Sequence, residues 1–101
     1  MEEKLVEATK PSVVNINLVT ANKEYMHKLP VGCKRFRIQM RDSTDFRLAV
    51  FQDIVAKPNP GYYTVKGGAA FEERSLNIQE ETWLYIACGS DNKIVEIFQW
   101  T

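Results

Sequence analysis

The histidine and cysteines of this chain, the commonest ligands of zinc and the side chains of Cys–His catalysis, are His27, Cys33 and Cys88. Nucleophilic catalysis needs a thiol or hydroxyl beside a base that a third group orients. Nothing in the spacing of His27, the only histidine, from either cysteine recommends that arrangement. Zinc is held by short repeats such as Cys-x-x-Cys or His-x-x-x-His, and neither occurs. Hydrolysis by paired carboxylates needs an acid and a base fixed across a cleft. Here Asp and Glu fall mostly in turn segments or on the polar faces of alternating stretches. Gly67-Gly68 lacks the Lys-Ser/Thr ending and the following helix of a phosphate loop, and reads as a turn or bulge. The expectation is a non-enzymatic protein with no metal and no cofactor. The cysteines read as reduced, mostly buried thiols, although a Cys33–Cys88 bridge stays open.

The elements that would carry any site are strands. The chain has 101 residues, 45% of them hydrophobic, which suits one domain with a real core. Thirteen basic and thirteen acidic residues balance to zero. That argues against a general nucleic-acid binder, which carries a basic excess. No apolar run is long enough to span a bilayer. The Met1-Glu2-Glu3-Lys4 start is acidic with no apolar core behind it, so synthesis in the cytoplasm is expected. Residues 1–11 read as an N-terminal arm, in which Leu5 and Val6 could order on a neighbouring subunit. Residues 12–101 read as the folded domain.

Alternation of period two marks the strands. Ser12–Thr20 puts Val14, Ile16 and Leu18 on one face and Asn15 and Asn17 on the other, as in an edge strand. Glu24–Leu29 and Tyr62–Lys66 are shorter. Cys33–Arg41 is the strictest, with Phe36, Ile38 and Met40 opposite Arg35, Arg37, Gln39 and Arg41. Phe46–Val55 resumes the pattern, and Ala69–Ile78 follows. Thr82–Cys88 and Ile94–Trp100 flank a Gly-Ser-Asp-Asn-Lys cluster and read as a β-hairpin. About eight strands without helical periodicity predict an all-β, single-domain antiparallel sandwich of jelly-roll or Greek-key type.

Two surface features follow. A hairpin of Cys33–Arg41 with Phe46–Val55 would gather Arg35, Arg37, Arg41 and Arg47 on one face, either solvated with local counter-ions or meeting an anionic partner. The basic stretch Lys34–Arg47 and the acidic stretch Glu72–Glu81 could also pair between like copies. The last two strands carry apolar residues on both faces, Trp83 and Trp100 among them. Such strands are buried twice or covered by a partner. The aromatics could form core, the floor under a loop, a subunit contact or a sugar-stacking platform.

Three stretches carry a likeness to a known family. They are Leu29-Pro30-Val31-Gly32 running into the basic strand that ends at Arg41; Gly61-Tyr62-Tyr63-Thr64-Val65-Lys66-Gly67-Gly68 with Leu76-Asn77-Ile78; and Thr82–Cys88 with Ile94–Trp100. From Tyr25 onward the chain resembles the small β-sandwich virion proteins of tailed bacteriophages, of the capsid decoration or cement type. The resemblance implies a structural protein that binds the major capsid protein or other virion proteins through its N-terminal arm and sheet surfaces. It also implies a dimer or trimer, a place in the virion, and host cytoplasm during assembly. The balanced charge and the lack of a long apolar run add the expectation of no direct nucleic-acid or membrane contact, and the resemblance carries over no residue with a fixed role. A carbohydrate- or receptor-binding module is the alternative reading.

Overall fold

A computed structural model describes residues 11–56, 61–74 and 78–101. The N-terminal contacts expected of Leu5 and Val6 lie outside the described residues. There is no helix among the described residues, which form eight strands. These are β1 (Pro11–Leu18), β2 (Tyr25–Leu29), β3 (Arg35–Met40), β4 (Phe46–Ala49), β5 (Tyr63–Val65), β6 (Ala70–Glu73), β7 (Thr82–Ala87) and β8 (Lys93–Trp100). Pro11, assigned to the arm by sequence, already lies in β1 opposite Trp100.

The strands make two antiparallel sheets, in the orders β1-β8-β3-β6 and β2-β7-β4-β5. The pairings are nested. β4 pairs with β5, β3 with β6, β2 with β7 and β1 with β8. The chain is therefore one long hairpin whose tip is the β4–β5 connection. It is wound so that successive rungs fall alternately into the two sheets. The lateral pairs β3–β8 and β4–β7 then join the rungs sideways. This is the jelly-roll winding of an antiparallel sandwich.

Two local expectations fail against this order. β7 and β8 are not a hairpin, and neither are β3 and β4; in each case the two strands lie in opposite sheets. Consecutive strands joined by a short turn normally pair. Here the turns cross the roughly 10 Å between packed sheets instead of the roughly 5 Å between paired strands. Each strand finds its hydrogen-bonding partners far away in sequence. β4 is also shorter than expected. It stops at Ala49, and Val50 and Phe51 are exposed, while the following chain turns back over the outside of its own sheet.

The core follows from the alternation. Phe36, Ile38, Phe46, Leu84, Ile86 and Ile97 point between the sheets and are buried. Complete burial of one such side chain contributes about 1.5–3 kcal/mol. Cys33 and Cys88 are free and buried in the same cluster. Their thiols donate to the carbonyls of Arg35 and Ser90 at 3.4 and 3.1 Å. Burial pushes the Cys33 thiol up, against the smaller opposing effect of its backbone hydrogen bonds. It is a poor thiolate for that reason.

One end of the sandwich is tied by polar contacts between turns. Asn22 N–H donates to the Cys88 carbonyl at 2.7 Å, and Ala21 N–H donates to Asp91 at 2.6 Å. The Lys93 ammonium donates to Asp42 at 2.8 Å. That ammonium, with the Thr44 hydrogen bonds, holds the Asp42 carboxyl well below the usual carboxylate range, at about 2. A carboxylate depressed by folding stabilises the native state above its unfolded pKa. The contribution fades as pH falls through the folded value. Asp42→Asn is expected to flatten the loss of stability between about pH 4 and pH 2 and to leave the slope above pH 5 unchanged. Urea melts at stepped pH read this directly; parallel curves for both proteins would refute it.

Candidate functional site

The sequence singled out two double-faced apolar strands, and the structure treats them differently. On β7 the inner residues Leu84 and Ile86 join the core, and the outer residues Trp83, Tyr85 and Ala87 form a second cluster. That cluster is covered by the β4–β5 connection, which lays Ile54, Val55 and Tyr62 over it and over Ala49. Arg47 fastens the cover. Its Nε donates to the Val55 carbonyl at 2.6 Å, and a terminal nitrogen donates to Asn22 Oδ1 at 2.8 Å. Glu24 accepts the Asp53 N–H at 3.0 Å from the far side. Trp83 is thus the floor under a loop, one of the roles expected for it. The Glu81 carboxylate beside it is held low chiefly by Lys28, with Trp83 donating a second hydrogen bond.

β8 has no such cover among the described residues. Its inner residues Val95 and Ile97 are fully buried, whereas Glu96, Phe98 and Trp100 face outward. Strand register fixes their neighbours. Trp100 stands between Pro11 and Arg35, and Phe98 stands between Val13 and Arg37, with Glu72 beyond Arg37. Phe98 and Trp100 stack with centroids 4.4 Å apart and planes 2° from parallel. The Arg35 guanidinium lies 3.8 Å from the Trp100 ring centroid. Such a contact contributes about 0.5–1 kcal/mol at an exposed site. Val13 is 60% exposed and Phe98 39%. A shallow groove runs between them, lined by Val13, Arg37, Gln39, Glu96, Ile97 and Phe98. The result is an aromatic and aliphatic strip with arginines along one flank.

The four arginines do not share one face. Arg35, Arg37 and Arg41 follow the outward phase of β3, but Arg47 is on β4 in the opposite sheet. The expected β3–β4 hairpin does not form, so nothing brings it across. Counter-ions are close at hand. Arg41 meets Glu96 at 2.9 Å, and Arg35 is 4.0 Å from Glu72. Gln39 and then Arg41 hold the Glu96 carboxyl low. Among the described residues the solvent-shielded Arg35 Nε has no hydrogen-bond acceptor, so Trp100 fixes this side chain more than any described carboxylate does. Because β3 and β6 are neighbours, part of the basic stretch and part of the acidic stretch meet within one chain. They do not lie on opposite sides for another copy to bridge.

His27 has a structural role. Its Nε2 bonds to Gln99 Oε1 at 2.8 Å, and Gln99 Nε2 donates to Ser12 Oγ at 3.2 Å. This chain of three links β2 of one sheet to β8 and β1 of the other. Gln99 is the buried polar side chain among the described residues, and the network satisfies its amide. Alternation from Val95 and Ile97 would have placed Gln99 inside.

No family model and no curated protein matches the chain. Solved structures do. A de novo designed double-stranded β-helix, determined by solution NMR, aligns with 91% of this chain and 99% of its own at 15% identity and a TM-score of 0.53. A structure of Bacillus endospore appendages, described as disulfide-linked pili, aligns with 91% of this chain and 84% of its own at 10% identity and a TM-score of 0.47. Aeromonas hydrophila PliG, a periplasmic inhibitor of g-type lysozyme, aligns with 92% of this chain and 86% of its own at 6% identity and a TM-score of 0.47. The first likeness is one of fold alone, and a double-stranded β-helix is what the nested pairing describes.

Proposed function

We propose that this chain is a non-enzymatic structural protein of a phage virion, a capsid decoration or cement protein that docks on capsid subunits through the outer face of the β1-β8-β3-β6 sheet. One observation carries the docking reading. Of two strands with apolar outer faces, β7 is covered by the chain itself, and β8 presents Phe98 and Trp100 beside exposed Val13. Interface cores favour aromatics and arginine over other surface residues. The virion setting rests on the resemblance of the three stretches described above.

The carbohydrate-binding reading has less geometric support. Sugar stacking needs a free aromatic face. Trp83 lies under the β4–β5 connection, Trp100 stacks against Phe98 and Arg35, and exposed Tyr63 is tilted 61° from Phe71 and so forms no coplanar platform with it.

Phe98→Asp and Arg37→Glu each change an exposed residue. Both variants are expected to keep the wild-type circular dichroism spectrum and to lose about tenfold or more in affinity for purified capsid shells in co-sedimentation. Undiminished binding by both variants would refute this docking face.

A further inference from the structure

Four strands stand at sheet edges, β1 and β6 in one sheet and β2 and β5 in the other. An edge exposes unpaired backbone N–H and C=O groups. Proteins blunt it with short strands, charge, proline or a cover. Three edges here are blunted. β5 has three residues. β6 has four and ends on Glu72 and Glu73. β2 carries His27 and Lys28, with Lys28 held 2.9 Å from Glu81.

Among the described residues β1 has no charge, no cover and no proline inside the strand. It runs for eight residues, Pro-Ser-Val-Val-Asn-Ile-Asn-Leu, without a charge, and its proline is at the first position. Among the described residues it pairs with β8 alone. Val14 and Ile16 face the core opposite Ile97 and Val95. Those two β8 residues are fully buried, yet Val14 and Ile16 stay half-exposed. They occupy the same layer of the sandwich and differ in having, among the described residues, no strand on their other side.

We propose that β1 pairs antiparallel with β1 of a second copy of this chain about a two-fold axis, joining two four-stranded sheets into one of eight. A strand that brings branched aliphatics in phase with Val14 and Ile16, and no like charge along its ladder, completes this layer. β1 itself meets both requirements, and an isologous contact is the commonest symmetry of homo-oligomers. The register follows from geometry. A two-fold axis normal to the sheet keeps odd-numbered residues outward on both copies, so it must pass through a residue. Centring on Asn15 sets Val14 against Ile16 of the second copy and Val13 against its Asn17. It also leaves Pro11, which has no N–H to donate, outside the ladder. Centring on Val14 would draw Pro11 in, and centring on Ile16 would shorten the ladder to residues 14–18. The contact is made of main-chain bonds and aliphatic burial, so it tolerates salt; pairing of exposed charges would weaken over that range.

The proposal does not depend on the virion reading. Its test uses the full chain. Light scattering is expected to show a dimer whose dissociation constant changes less than about threefold between low and high salt. Asn15→Cys, with its two copies across the axis, is expected to give a disulfide-linked dimer under mild oxidation. Asn17→Cys is not, because its two copies stand roughly 13 Å apart along the strand direction. Both positions are exposed, and the native Cys33 and Cys88 are buried. The double variant Asn15→Lys, Asn17→Lys is expected to be a folded monomer by mass and circular dichroism. A monomer at every concentration would overturn the proposal. So would a dimer that survives the lysine pair, or cross-linking at Asn17 as fast as at Asn15.

Discussion

Gly67→Ala is expected to lower the melting temperature by roughly 10–20 °C, corresponding to about 2–3 kcal/mol of overpacking in a domain of this size. Gly67 lies in the β5–β6 turn, and its N–H donates to Asp45 Oδ1 at 2.6 Å. A Cβ there would run into the backbone carbonyl of Ser43. A flexible side chain could swing away, but this carbonyl belongs to the β3–β4 turn, which the Asp42–Lys93 pair and the Asp45 contact hold in place. The neighbouring Gly68 is a glycine for a different reason. Its φ is +84°, and a Cβ would meet nothing within 4 Å. Gly68→Ala is therefore expected to cost only the left-handed backbone penalty of about 1–2 kcal/mol. Gly68→Asn is expected to cost less still. Thermal melts of the three variants separate the two causes. Equal losses for Gly67→Ala and Gly68→Ala would show that the Ser43 contact yields.

Phe46→Ala is expected to be the most damaging single truncation, at about 3–5 kcal/mol. Phe46 is the bulkiest of the fully buried side chains, and it starts β4 opposite Val65. It sits on the innermost rung of the wound hairpin, so the rungs outside it pack on what it fills. A cost of that size is a large share of the stability of a small domain. A Phe46→Leu variant keeps most of the volume and is expected to recover more than half of the loss. Urea unfolding followed by Trp fluorescence would measure both. A cost below about 1 kcal/mol for Phe46→Ala would mean that the core collapses around the gap.

The faces of the strands were legible before the fold was known, and the partners were not. Period two says which side of a sheet Phe36, Ile38 and Met40 occupy, because successive Cβ atoms point oppositely. It says nothing of which strand lies alongside. The Gly-Ser-Asp-Asn-Lys cluster has the composition of a hairpin turn and serves here to cross between sheets. For the same reason the alternation groups Arg35 and Arg37 of β3 with Arg41 just after it, and says nothing of Arg47, which is on β4 in the other sheet. The end of β4 was hidden because Val50 and Phe51 continue the apolar lettering. What stops the strand is the fit of Ile54, Val55 and Tyr62 onto Trp83 and Tyr85, a contact distant in sequence. The exposed strip on β8 was half visible. Two apolar faces were apparent in both β7 and β8, but only the folded chain distinguishes the strand it covers from the one it leaves open.

We propose that this protein acts as a structural component of a phage particle. If a phage genome encodes the chain, quantitative mass spectrometry of its gradient-purified virions tests that most directly. The expected result is this chain in a fixed ratio to the major capsid protein, unchanged by further purification and lost from particles assembled with Phe98→Asp. Its absence from virions, with normal abundance in the infected cell, would contradict the claim.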